Sequence, residues 1–108
     1  MPQNPRTLCV YHDIAEITHR MLSHAKASRW DNVVELVPQY QRVVEKLDKI
    51  GPLSPKALEE RREILTQILD NDAEIRRLAS PELERLNELI SGLQRQRTVL
   101  QAYYAPQS

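Results

Sequence analysis

Residues 65–93, LTQILDNDAEIRRLASPELERLNELISGL, decide how this chain is read. Leu65, Ile68, Ile75, Ala79, Leu83, Leu86, Ile90 and Leu93 recur in alternating steps of three and four, the spacing of one helix face, and Asp72 is the single polar interruption. The stripe passes straight through Ser80-Pro81-Glu82, which by local rules resembles a fresh helix start. Two features weigh against a cut there. Glu84 stands where a hydrophobic staple needs an apolar side chain, and no glycine or loop residue leads directly into Ser80. A turn of several residues would also reset the phase. The stripe therefore predicts one long third helix, kinked near Pro81, with a break at Ser91-Gly92 and a short fourth helix beyond. At ~1.5 Å per residue, a helix spanning 54–91 is about 55 Å long.

The start of that helix is well marked. Ser54 is a good N-cap, Pro55 suits the first turn, and Leu53 and Leu58 have staple spacing. Upstream, a first helix is expected over about residues 7–27, with Leu8, Tyr11, Ala15, Thr18, Leu22 and Ala25 on one face and Ile14 and Met21 widening it. Ser28 to Asp31 has capping-box spacing and opens a second helix. Trp30, Val33, Val34, Val37, Tyr40, Val44 and Leu47 line its apolar side, and Glu45 and Lys49 are spaced to pair. Pro38 removes an amide inside it and predicts a bend. Ile50-Gly51-Pro52 closes it, glycine being suited to a left-handed cap.

Composition sets the class. The 108 residues include only two glycines, and 15 Lys+Arg balance 15 Asp+Glu. That predicts a single all-α domain: an antiparallel bundle of three long helices, the third longest, plus a short C-terminal fourth helix. Flexible tails are expected at 1–6 and 105–108. Zero net charge provides no field to gather nucleic acid or anionic lipid, so the expected partners are proteins. Cys9 is the single cysteine, the N-terminus lacks the apolar core of a signal peptide, and no apolar run reaches the ~20 residues of a membrane span. A cytoplasmic location is expected.

A long third helix has a consequence. Helices one and two, at about 30 Å each, would leave Leu83, Leu86, Leu89, Ile90 and Leu93 overhanging. Burying each of these is worth ~1.5–3 kcal/mol, so the overhang needs the fourth helix, a second copy or a foreign amphipathic segment. In the fourth helix Leu100, Tyr103 and Tyr104 carry the apolar face and Gln96 and Arg97 interrupt it. Such a helix makes a cover that is easily displaced.

Trp30-Asp31 opening helix two, Tyr40 ten residues on, the run from Ile68 to Ile75, Leu83-Glu84-Arg85-Leu86, and Leu100-Gln101-Ala102-Tyr103 together resemble the FliT-type flagellar export chaperones. The likeness extends over nearly the whole chain, although Pro38 and Pro81 sit inside helical stretches and the tail after Tyr104 is short. It implies a cytoplasmic chaperone for the filament-cap protein, bound through that protein's C-terminal helical segment, kept soluble and unassembled, and delivered to the cytoplasmic domain of the type III export gate. The resemblance extends the partners to the export ATPase and its stalk protein and, in enteric bacteria, to a flagellar transcriptional activator, a role not assumed here. It implies no enzyme activity and no cofactor. By the same resemblance, Tyr103, with Leu100 one turn before it, corresponds to the tyrosine tied to cover docking and gate binding. The surface beneath the cover falls on Ile75, Leu78, Leu83, Leu86 and Ile90, each of which ordinary bundle packing would also explain.

Other constellations have plainer readings. His12, Glu16 and His19 share one side of helix one at metal-ligand spacing, but nothing supplies a fourth ligand; they and His24 read as a solvated edge. Asp70-Asn71-Asp72 begins like a calcium loop without its glycine or distal glutamate, so Asp70 or Asp72 is expected to hydrogen-bond between helices or lie exposed. Trp30 reads as a packing anchor and Cys9 as an unactivated thiol. Arg95 and Arg97 form either a basic patch or ordinary cations near a helix C-terminus. Ile68-Leu69-Asp70 through Arg76-Arg77 superficially resembles small helical chorismate mutases, but that chemistry needs inward cations where this stripe is aliphatic. The competing reading is a homodimeric coiled-coil adaptor without a secretion client.

Overall fold

The computed structural model describes residues 5–82 and 84–104, with side chains from residue 8 onward. Among the described residues four helices form, α1 (Pro5–Lys26), α2 (Trp30–Glu45), α3 (Pro55–Ala79) and α4 (Asn87–Tyr104), with short 3-10 turns at Lys46–Lys49 and Ser80–Glu82. Helix α1 already includes residues 5 and 6, which the expected tail had taken in. The rest of the expected tails, residues 1–4 and 105–108, lies outside the described residues.

Helix α1 ends in a Schellman motif. The amide of Arg29 donates to the His24 carbonyl (2.8 Å) and that of Ser28 to Ala25 (3.0 Å), with Ser28 in the left-handed region at φ 59°. This corrects the expected capping box: Ser28 closes α1, and the N-cap position of α2 is Arg29, which makes no side-chain cap. The reversal between the helices is so short that a left-handed residue had to stand where a cap could have stood. On α1 the fully buried line is Tyr11, Ile14, Thr18 and Met21, with Leu8, Ala15 and Leu22 at its flanks. On α2 Trp30, Val33, Leu36, Tyr40 and Val44 are buried, while Val34 is 46% exposed.

Pro38 lies within α2, which tightens into the 3-10 turn after Glu45. The i,i+4 spacing that would pair Glu45 with Lys49 is lost there, and no ion pair joins them among the described residues. Ile50 is extended (φ −85°, ψ 127°), so the helix ends without the expected left-handed Gly51. Helix α3 begins as read: the Ser54 hydroxyl accepts from the Ala57 amide at 3.2 Å, with Pro55 in the first turn.

The largest departure lies at Ser80–Leu86. Instead of a kinked helix about 55 Å long, α3 stops at Ala79 and the chain folds back. Pro81 lacks the amide that would continue the ladder, and Ser80 donates to Arg77, tightening the backbone into a 3-10 turn. Leu86 then donates to Glu82 and Ile90 to Leu86, which starts α4. Ser91-Gly92 is therefore no break, and the fourth helix, with 18 residues, is longer than the 16-residue α2. The apolar phase survives because both arms of a helical hairpin face one core. Among the described residues no overhang results: Leu86, Leu89 and Leu93 are buried and Ile90 is half-buried.

Contacts between helices give the layout. Tyr11 meets Arg61 and Thr18 meets Asn71, so α1 and α3 lie side by side in parallel. Tyr104 packs beside Arg62 and Thr66, which makes α4 antiparallel to α3. Gly92 meets Val37 and Tyr103 meets Asp48, so α4 runs parallel to α2. One apolar cluster drawn from all four helices fills the centre of a body 48 × 26 × 20 Å. No helix among the described residues is long and apolar enough to cross a membrane.

Candidate partner-binding site

The element that organises the candidate site is α4 lying across α2 and α3. Its inward line is Leu89, Gly92, Leu93, Gln96 and Leu100, all buried. Gly92 permits a close approach: a Cβ there would stand 3.2 Å from the Val37 Cγ1. At the far end the Tyr103 hydroxyl lies 3.4 Å from the Asp48 carboxylate, and Tyr103 borders a hollow of about 250 Å³ with Tyr11, Leu47, Leu53, Leu58 and Arg61. Partial burial, with the charge of Asp48 next, pushes the Tyr103 hydroxyl above its usual pKa. Tyr104 hydrogen-bonds Thr66 at 3.3 Å and carries the Arg62 guanidinium 4.9 Å above its ring.

The seven residues expected at the site divide between the two ends. Ile75 is fully buried in the core and Leu78 packs against it from the last turns of α3. Leu86 is buried in the reversal and Ile90 is half-buried on α4, so neither extends a surface of helix three as expected. Leu83 lies outside the described residues. Leu100, fully buried, and half-buried Tyr103 sit at the opposite end, beside the start of α3. The correction follows from the hairpin: of the residues read as one surface of helix three, Leu86 falls in the reversal and Ile90 on α4 itself.

Between α2 and the first half of α4 runs an open groove of about 460 Å³. Val34, Val37 and Pro38 form one wall and Leu89, Gly92 and Arg95 the other. Since Pro38 has no amide, the Val34 carbonyl lacks its helical donor on this wall. The sequence assigned Val34 to the core, because it shares the stripe with Val33 and Val37. Only the bundle shows that α4 stops short of covering it.

A polar cluster interrupts the contact midway. The Asp72 side chain is fully enclosed; its Oδ2 accepts from Arg76 Nε at 2.8 Å, while its Oδ1 has no hydrogen-bond partner. The Tyr40 hydroxyl on α2 and Arg97 Nε on α4 are likewise buried without partners. Burial raises the Asp72 carboxyl above the usual carboxylate range, against the lowering by Arg76 and Arg97. Burial and the neighbouring carboxylate push the Tyr40 phenol strongly upward. Asp70 is exposed, so of the two aspartates only Asp72 turns inward, and it pairs within its own helix. Arg97 faces inward as well and makes no patch with exposed Arg95.

The remaining features are plain. His12, Glu16, His19 and Cys9 are exposed, and the described residues hold no group of side chains suited to a metal. Trp30 is buried in the core as an anchor.

Comparison with known proteins fits this architecture. Residues 9–105 match the family described as flagellar protein FliT. Flagellar protein FliT of Serratia proteamaculans is 35% identical over 95% of this chain and 87% of its own length. That of Yersinia pseudotuberculosis serotype O:3 is 33% identical over 95% and 88%. The crystal structure of flagellar protein FliT from Bordetella bronchiseptica superposes with a TM-score of 0.66 at 42% identity, covering 77% of this chain and 97% of that one. With a helical bundle matched from its first helix to its last, this chain belongs to the FliT family of flagellar proteins.

Proposed function

We propose that this chain is a cytoplasmic type III flagellar export chaperone. Its client is the C-terminal helical segment of the filament-cap protein, which it keeps soluble and unassembled and delivers to the export gate, with the export ATPase and its stalk protein as further contacts. The observation that carries this reading is α4 itself. It is an amphipathic helix laid on α2 and α3, and its inward face is broken at Gly92, Gln96 and Arg97. A seat that accepts one amphipathic helix accepts another with anchors at three-, four- and seven-residue spacing. The open groove beside Val34 and Pro38 gives an incoming helix apolar wall before α4 has moved. Ile75 and Leu78 then line the seat, while Leu86, Ile90, Leu100 and Tyr103 belong to the cover or its hinge. The activity is binding and delivery, without catalysis or cofactor.

Calorimetric titration of the cap protein's C-terminal segment into the full chain and into Leu100→Asp tests this. A charge at the fully buried Leu100 unseats α4. Binding at least about tenfold tighter to the variant is expected, because the client no longer competes with the cover. No binding to either protein, or a constitutive dimer indifferent to the substitution, overturns the proposal in favour of an adaptor.

A further inference from the structure

The seat beneath α4 is not uniformly apolar. At its middle Asp72 offers an enclosed carboxylate oxygen with no hydrogen-bond donor, and the neighbouring Tyr40 hydroxyl is also unpartnered. From α4, Arg97 brings its guanidinium stem into the same region, where its charge acts favourably on Asp72 without direct ion-pair contact. Arg76 satisfies only the other oxygen, Oδ2. Three helices thus contribute polar groups to one site beside a core of mainly aliphatic and aromatic side chains. An enclosed carboxylate facing only aliphatic groups is strongly disfavoured, so whichever helix lies on this seat is selected by what it sets opposite Asp72.

We infer that Asp72 and Tyr40 form a specificity anchor demanding a cationic side chain, Arg or Lys, from the helix that occupies the α4 seat. In the resting chain Arg97 answers that demand through its charge, without a hydrogen bond to Oδ1, and a client that displaces α4 carries an Arg or Lys on its apolar face in the same place. The client part of the inference rests on the proposed chaperone function; the resting part does not. A purely apolar helix leaves the carboxylate with Arg76 as its one cation and is rejected, which separates a proper client from the many greasy helices of a cell.

Native-state hydrogen exchange of the α4 amides in the full chain tests the resting part, using wild type, Arg97→Met, Asp72→Asn and the double variant. Arg97→Met is expected to raise α4 opening about tenfold in the wild-type background and less than about twofold when Asp72 is already Asn. Equal effects in both backgrounds overturn the inference whether or not a client binds. The second arm titrates the cap protein's C-terminal segment, its Arg and Lys residues replaced singly by Gln, against wild type and Asp72→Asn. One replacement is expected to weaken binding about tenfold to wild type and little to the variant. A segment whose every replacement acts equally on both proteins refutes the specificity claim. A segment that binds neither protein removes the chaperone reading and the client claim with it, and leaves the resting anchor to the exchange result.

Discussion

Ser28 shows how a single residue is set by the backbone it must accommodate. Its left-handed conformation costs an L-residue roughly 1–2 kcal/mol, a cost glycine avoids. Ser28→Gly is therefore expected to stabilise the chain by about 0.5–1 kcal/mol, read as a higher urea midpoint with an unchanged slope. A loss of stability would mean that the serine hydroxyl supports α2 after all. Ser54 is the opposite case: its capping role was legible because cap, proline and staple signals coincide within six residues, and the hydroxyl indeed accepts from Ala57. At Ser28 the same residue type fits two roles, and only the geometry of the turn chooses between them.

Among the elements, α4 differed most from expectation. Periodicity located most of the buried apolar residues of the last two helices, though not Ala57 and Ile64, and it missed the point where the chain turns back, since a hairpin that returns to one core preserves the phase. The local signals at Ser80-Pro81 were the better guide, because a missing amide acts regardless of what lies downstream. Gly92, read as a helix end, is instead a contact point in a helix interior. Gly92→Leu should press on Val37 and loosen α4 from α2, at a cost of about 1–3 kcal/mol. Hydrogen exchange would show faster opening confined to α4 while α1 and the middle of α3 keep their protection. Uniform acceleration across all four helices would mean that α4 is no separable cover.

For the whole molecule, the enclosed Asp72 sets a pH dependence. Its folded pKa lies above the unfolded carboxylate value of about 3.9, so the native state holds that proton more tightly and stability contributed here rises as pH falls from neutral through the raised value. Glu74, held below its usual range by the hydrogen bond from Arg77, acts in the opposite sense but is exposed and weak. Asp72→Asn should therefore gain more stability relative to wild type at pH 7 than at pH 5, measured by urea unfolding at both. A constant difference would show that the carboxylate is solvated in the folded state.

The linear order of residues by itself determined an all-helical chain, the approximate extents of its first two helices, the capped start of α3 and most of the core, because periodicity and capping act within a few residues. Even Asp72 announced itself as the beat missing from the stripe. Only tertiary structure decided that α4 folds back over α3 and α2, that Val34 borders an open groove, and that Asp72, Tyr40 and Arg97 meet. Those outcomes depend on which helices become neighbours, and burying the apolar faces of all four together settles that where no single segment can.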